Sequence, residues 1–170
     1  MNRRVTWLLL CSAVIVFTVL YYARKAQATP AVGFTSTTLA LGRLGGIDIL
    51  NYFVPTKGAP WFSFAKTQGF SDVYVQSNDW QPGGTTGWHS HPGHSLIIVT
   101  AGTITDYEGA DRNCRPHVYT AGMAFADEGG THAHIVRNEG TVEATAIAVQ
   151  VIPSGQPRRI DVDAPGNCPF

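Results

Sequence analysis

The sequence predicts an all-β domain. Three observations carry that reading: no segment after residue 30 sustains a helical period, glycine and proline recur roughly every eight to twelve residues, and several runs alternate apolar with polar side chains. At 170 residues the chain suffices for one ordinary domain and is short for two. It contains neither an internal repeat nor a low-complexity tract.

The first stretch, "MNRRVTWLLLCSAVIVFTVLYYARKAQATP", stands apart from this pattern. Arg3 and Arg4 precede an apolar run from Trp7 to Tyr22, and Ala26-Gln27-Ala28 has the small-x-small form of a secretory cleavage site. Residues 1–28 therefore read as a signal peptide, with Thr29 the first mature residue. An uncleaved anchor helix is the competing reading: the run nears the roughly 17 residues a spanning helix needs, and Arg24 and Lys25 follow it. Either reading puts residues 29–170 outside the cytoplasm, periplasmic or secreted, with membrane contact only through an uncleaved leader.

The strands then follow in order. "STTLALGRL" and "GIDILNYF" read as strands that extend a sheet, and "VPTKGAPWFSFAKTQG" as a loop holding a short strand around Trp61–Phe64. "SDVYVQSNDW" (71–80) alternates, with Val73 and Val75 opposite Tyr74 and Gln76. "SLIIVTAGTITDY" (95–107) reads as two strands joined at Ala101-Gly102, and "HIVRNEGTVEATAIAVQVI" (134–152) as a hairpin turned at Glu139-Gly140. In its second half Ile147, Val149 and Val151 share one face and the small Ala146 and Ala148 the other, a division that suits a tapering barrel.

Charge and cysteine content narrow the partners. Without residues 1–28 the chain keeps 8 basic residues against 12 acidic ones and shows no basic stripe, which excludes nucleic-acid binding through the phosphate backbone. Cys11 leaves with the leader, so Cys114 and Cys168 remain as the pair that an oxidising compartment would join, with two unpaired surface thiols as the alternative.

All six histidines fall between residues 89 and 134. In "GWHSHPGHS" His89 and His91 are two apart and, in a strand, point to one side. Pro92 holds His91 extended and ends the strand there. Two imidazoles so placed can take adjacent positions around a metal, with a third ligand supplied from "THAHIVRN", where His132 and His134 repeat the spacing. His94, after the Pro-Gly turn, reads as a surface loop residue, and His117 as solvent-facing. A metal-free polar pocket is the other reading of this cluster.

These residues resemble the paired motifs of the cupin superfamily. The first motif, G-x5-H-x-H-x3,4-E-x6-G, is matched by Gly83, His89, His91 and Gly102 across 83–102, with Ser95 in place of the glutamate. The second, G-x5-P-x-G-x2-H-x3-N, is matched across 122–138 by Gly122, Gly130 and Asn138, with Glu128 replacing the proline and one extra residue before His134. The resemblance implies a single jelly-roll barrel over residues 29–170 and metal ligation by His89, His91 and His134. It leaves the fourth, carboxylate position without a match. His132 and Ser95 are then candidates to support the ligands from the next shell, and Glu128 is a carboxylate at the mouth of the second motif. Such a three-imidazole site suits zinc, iron, copper or nickel. Three functions stay open: an exported barrel binding a divalent metal and a small organic ligand, a metal-dependent oxygenase-type enzyme, and a metal-free, non-catalytic envelope domain. No catalytic base is visible, and a homodimer is expected only by analogy with the superfamily.

Overall fold

The alternating segment 71–80 is part of a strand that runs from Ser71 on to Thr85, the long central strand of the domain. In the computed structural model, which describes residues 29–170, the strands are β1 (Val32–Leu44), β2 (Asp48–Phe53), β3 (Trp61–Lys66), β4 (Ser71–Thr85), β5 (His89–Ser90) and β6 (Ser95–Ala101). They continue as β7 (Thr103–Glu108), β8 (His117–Thr120), β9 (Ala124–Asp127), β10 (His134–Arg137), β11 (Ala144–Pro153) and β12 (Ile160–Asp161). The described residues are all-β, and no helix among them is long and apolar enough to cross a membrane. The signal or anchor reading of residues 1–28 lies outside the described residues.

Ten strands join in one antiparallel sheet that folds over itself into a nearly closed barrel. One layer runs β1-β4-β11-β6-β9, the other carries β8-β7-β10-β5-β12, and the two meet where Arg137 of β10 pairs with Thr85 at the end of β4. Gly102 turns the chain from β6 in the first layer to β7 in the second. Its φ of +68° is in the left-handed region, and a Cβ there would lie 2.6 Å from the Glu143 carbonyl oxygen, so only glycine fits the crossing.

Two sequence expectations change at this level. Residues 134–152 do not form a hairpin: β10 pairs with β7 and β5, whereas β11 pairs with β4 and β6. The turn after Arg137 instead carries the chain between layers. Asn138, 1% exposed, fixes it by donating from Nδ2 to the Trp80 and Val142 carbonyls at 3.0 and 2.7 Å and accepting from Gly140 N–H at 3.0 Å. Likewise β2 does not extend the main sheet. It pairs with β3, which is longer than the short strand expected, as a separate two-stranded hairpin. On one face of that hairpin Leu50, Tyr52, Phe62 and Phe64 are all exposed.

The barrel interior has an apolar half and a polar half. Trp80, Ile97, Val99, Ile104, Val136, Ala144, Ala146 and Ala148 form the main cluster, with Phe34, Tyr119 and Phe125 packed against it. The small face of β11 therefore points inward, and Val149 on the bulky face is 36% exposed. On β4 the inward residues are Gln76, Asn78 and Trp80, so its polar set, not Val73 and Val75, faces the core. A second cluster of Trp88, Tyr107 and Ile135 takes Val162 and the Cys114–Cys168 disulfide against it.

Replacing Asn138 with Ala would orphan two carbonyls and an amide, and is expected to cost about 2–4 kcal/mol, read as a lowered urea midpoint with unchanged slope. The disulfide closes a sequence separation of 54 residues. Replacing both cysteines with Ser is expected to remove about 4 kcal/mol on the loop-entropy relation, measured the same way.

Candidate metal centre

Strand pairing brings the two histidine segments together. His134, the first residue of β10, lies directly opposite His89 of β5 in the antiparallel register, which sets both side chains on the same face. His91 follows just beyond β5 and turns in beside them. The ring centroids are 4.4 Å apart for His89–His134, 4.7 Å for His89–His91 and 5.7 Å for His91–His134. One nitrogen from each ring lies within 4.8 Å of the others, at the wall of a cavity of about 110 Å³.

Each ring is held by its Nδ1. That of His89 donates to the Gly87 carbonyl at 2.9 Å, and that of His91 lies 2.6 Å from the Arg158 carbonyl, with Gln150 Nε2 2.9 Å from the ring nitrogen and 3.1 Å from the same carbonyl. The Nδ1 of His134 donates to Asp106 Oδ1 at 3.0 Å, both side chains being buried. In the neutral tautomer with Nδ1 as donor, each Nε2 carries a lone pair, and Nε2 of His134 is buried with no hydrogen-bond partner. A donor set of this kind, neutral imidazoles oriented by carbonyls and a carboxylate, is what a borderline metal ion takes, so the residues present fit the ion that the sequence implies.

The electrostatics divide the cluster. Burial, with the nearby charges of His134, Arg159 and His91, pushes the His89 pKa well below its ordinary 6.5. Burial also lowers that of His91. For His134 burial lowers the pKa, but the hydrogen bond and charge of Asp106, reinforced by Asp127 and Glu108, outweigh it and leave the pKa raised.

The remaining sequence candidates separate from this group. His94 and His117 are exposed. His132 is on the rim, its exposed ring 3.5 Å from the exposed Glu128 carboxylate, and neither residue lines the cavity of the cluster. Ser95 does line it and is 4% exposed. Sequence reasoning overlooked two buried carboxylates, Asp106 beneath His134 and Asp127 beside His91. Asp106 belongs to an alternating strand, a position that reads from sequence as an ordinary surface acid. Arg158 and Arg159, at the cavity wall, were missed for the same want of a motif.

Residues 79–150 match the protein family described as "Cupin domain". Among solved structures, an oxalate oxidase in complex with the substrate analogue glycolate is 25% identical, with a TM-score of 0.45, over 53% of this chain and 46% of that one. A Klebsiella pneumoniae protein with a double-stranded beta-helix domain is 20% identical, with a TM-score of 0.44, over 52% of this chain and 74% of that one. The chain thus spans about half the length of the oxalate oxidase it matches. No curated protein matches it.

In metal-free protein the His134 ring is expected to titrate above 6.5 and the His89 ring well below it. The linked stability follows in sign. The His134 contribution is fully present below 6.5 and fades as pH rises through its raised folded value, whereas His89 destabilises the fold as pH falls below 6.5. Asp106→Asn removes what raises His134 and should drop its pKa below 6.5. Ring-proton NMR titration of wild type and variant checks both statements.

Proposed function

The chain belongs to the cupin superfamily through residues 79–150, and from that premise we propose that it binds one divalent metal ion inside the barrel through His89, His91 and His134. The observation that carries the reading is the convergence of three imidazoles from two separated segments, each with Nδ1 tied to a protein acceptor and Nε2 left free. A bound ion would act as Lewis acid or as a platform for oxygen activation. The chain's own residues set the conditions around it. Gly87, Arg158 and Asp106 hold the rings in one tautomer, while Trp80, Ile97, Phe34 and Phe125 make one wall of the cavity apolar.

The cavity also has room for a small organic ligand of a few heavy atoms, lined by the amide side chains of Gln76, Asn78 and Gln150 and by Arg158 and Arg159. A ligand that accepts hydrogen bonds suits that lining. The Cys114–Cys168 disulfide accords with an oxidising compartment, and export of the domain past the cytoplasmic membrane is part of the reading.

Elemental analysis of full-length protein purified without a histidine tag tests the proposal. Wild type is expected to carry about one equivalent of metal per chain, as one three-histidine site per barrel requires, and His89→Ala and His134→Ala essentially none. Thermal unfolding should separate the effects, since only wild type would gain Tm on metal addition. Wild type that takes up no metal from a panel of zinc, iron, copper and nickel would sink the reading.

A further inference from the structure

The superfamily motif places its acid on β6, and this chain has Ser95 there. The position across the sheet is not empty of charge. Ser95 pairs with Asp127 in the β6–β9 register, so the two side chains share a face and differ only in which strand bears them. We propose that Asp127 supplies the carboxylate of the metal site, as a fourth protein ligand delivered from β9 in place of the acid missing from β6. This rests on the three-histidine reading above.

Three observations converge on Asp127. It is 8% exposed and lines the same cavity as His89, His91 and His134. Its two oxygens have different duties: Oδ1 accepts from the Gly129 N–H at 2.9 Å, which fixes the carboxylate, and Oδ2 is turned to the cluster, 3.6 Å from His91 Nε2, with one long hydrogen bond of 3.4 Å from Ser95 Oγ. The third observation is the mismatch this creates. His91 Nδ1 lies 2.6 Å from the Arg158 carbonyl and 2.9 Å from Gln150 Nε2; in the tautomer that donates to the carbonyl, His91 Nε2 turns a lone pair to the Asp127 carboxylate oxygen 3.6 Å away. Two acceptors in a buried site repel unless a cation or a donor joins them. Among the described residues no Lys or Arg nitrogen approaches Asp127 within 4 Å.

A metal ion resolves the mismatch geometrically as well as electrostatically. Two ligand atoms each about 2.1 Å from one ion at a tetrahedral angle stand roughly 3.4 Å apart, close to the 3.6 Å between Asp127 Oδ2 and His91 Nε2; the ligand atoms within 4.8 Å of one another are those of the three histidines, so Asp127 joins them from the side of His91 by a small approach. A carboxylate in the set also offsets half the charge of a dication, which three neutral imidazoles do not. The shorter side chain is consistent with the change of strand, since a carboxylate rooted on β9 approaches the cluster from the flank of His91.

The test is metal affinity and ligand-field spectroscopy on full-length protein, with Zn²⁺ in competition against a chromophoric chelator and Co²⁺ as the optical probe. Asp127→Asn keeps an acceptor for the Gly129 N–H, so the fold should hold, and circular dichroism monitors it. Expected are a Zn²⁺ affinity lowered by roughly tenfold to a hundredfold and an altered Co²⁺ visible spectrum, because the ligand set itself has changed. The double variant Ser95→Glu with Asp127→Asn, which moves the acid back to β6, should recover most of the affinity. An Asp127→Asn protein with unchanged Zn²⁺ affinity and an unchanged Co²⁺ spectrum overturns the assignment while leaving the three-histidine site intact. Wild type that binds neither ion overturns both.

Discussion

The antiparallel pairing of β10 with β5 is the constraint on which the rest of the molecule depends. It aligns residue 134 with residue 89 across a sequence gap that costs loop entropy to close, and the gain must come from contacts around the pair. Thr86 provides several of them: its N–H donates to the Val136 carbonyl at 2.9 Å, and its Oγ1 accepts from the Val136 N–H at 2.9 Å. On the other side β7 pairs with all of β10, from His134↔Glu108 to Arg137↔Thr105. β10 is therefore held along both edges, and the ring of His134 has no freedom to leave the face it shares with His89.

This arrangement needs an interior that is not uniformly apolar. Gln76 donates to Gln150 across the cavity at 3.2 Å, Ser95, Asp127 and the three histidines continue the polar lining, and Asp106 lies behind His134. Each such group forgoes hydration and must find a partner inside. Most do, through register-related neighbours. The stability that this half of the barrel cannot supply comes from the Trp80 cluster at its other half and from the Trp88 cluster on the outer side, where the disulfide packs. Small alanines on the inner face of β11 complete the division, because they leave the volume that the cavity occupies.

The sequence made legible what depends on local spacing and left hidden what depends on pairing. Alternation identified the strands of β4, β6 and β11, Ala101-Gly102 marked the joint between two strands, and the His-x-His spacing at 89 and 91 marked one wall of the site. The partners of each strand were another matter. β10 and β11 are joined by a short turn and read as a hairpin, yet they enter different layers, and Asn138 anchors the turn between them to Trp80 of β4 and to Val142. Which face of β4 points inward was equally hidden: hydrophobicity favours Val73 and Val75, but the cavity's demand for hydrogen-bonding groups selects Gln76 and Asn78. Asp127 and Asp106 escaped notice for the same reason. Their significance lies in the residue opposite them, and no linear spacing encodes it.

The C-terminal tail belongs to the site as much as to the scaffold. β12 pairs with β5 through Ile160↔Ser90 and Asp161↔His89, and Val162 N–H donates to the Trp88 carbonyl at 3.2 Å, so the tail lies along the strand that bears His89 and is followed by His91. Its Arg158 carbonyl lies 2.6 Å from Nδ1 of His91 and directs that ring, whose side chain is 16% exposed against 7% for His134. A two-stranded ladder this short has little stability of its own. What keeps it in place is the covalent tie a few residues on, where Cys168 is bonded to Cys114 and Asn167 donates from Nδ2 to the Glu108 and Asp111 carbonyls at 2.9 and 2.7 Å. The loop that receives this tie is itself stiffened by Asp111, whose carboxylate accepts from Asn113 N–H, Arg115 N–H and the Arg115 guanidinium. A chain of contacts thus runs from the disulfide through the tail to the most accessible of the three rings, with Gln150 holding the Arg158 carbonyl from the side of β11.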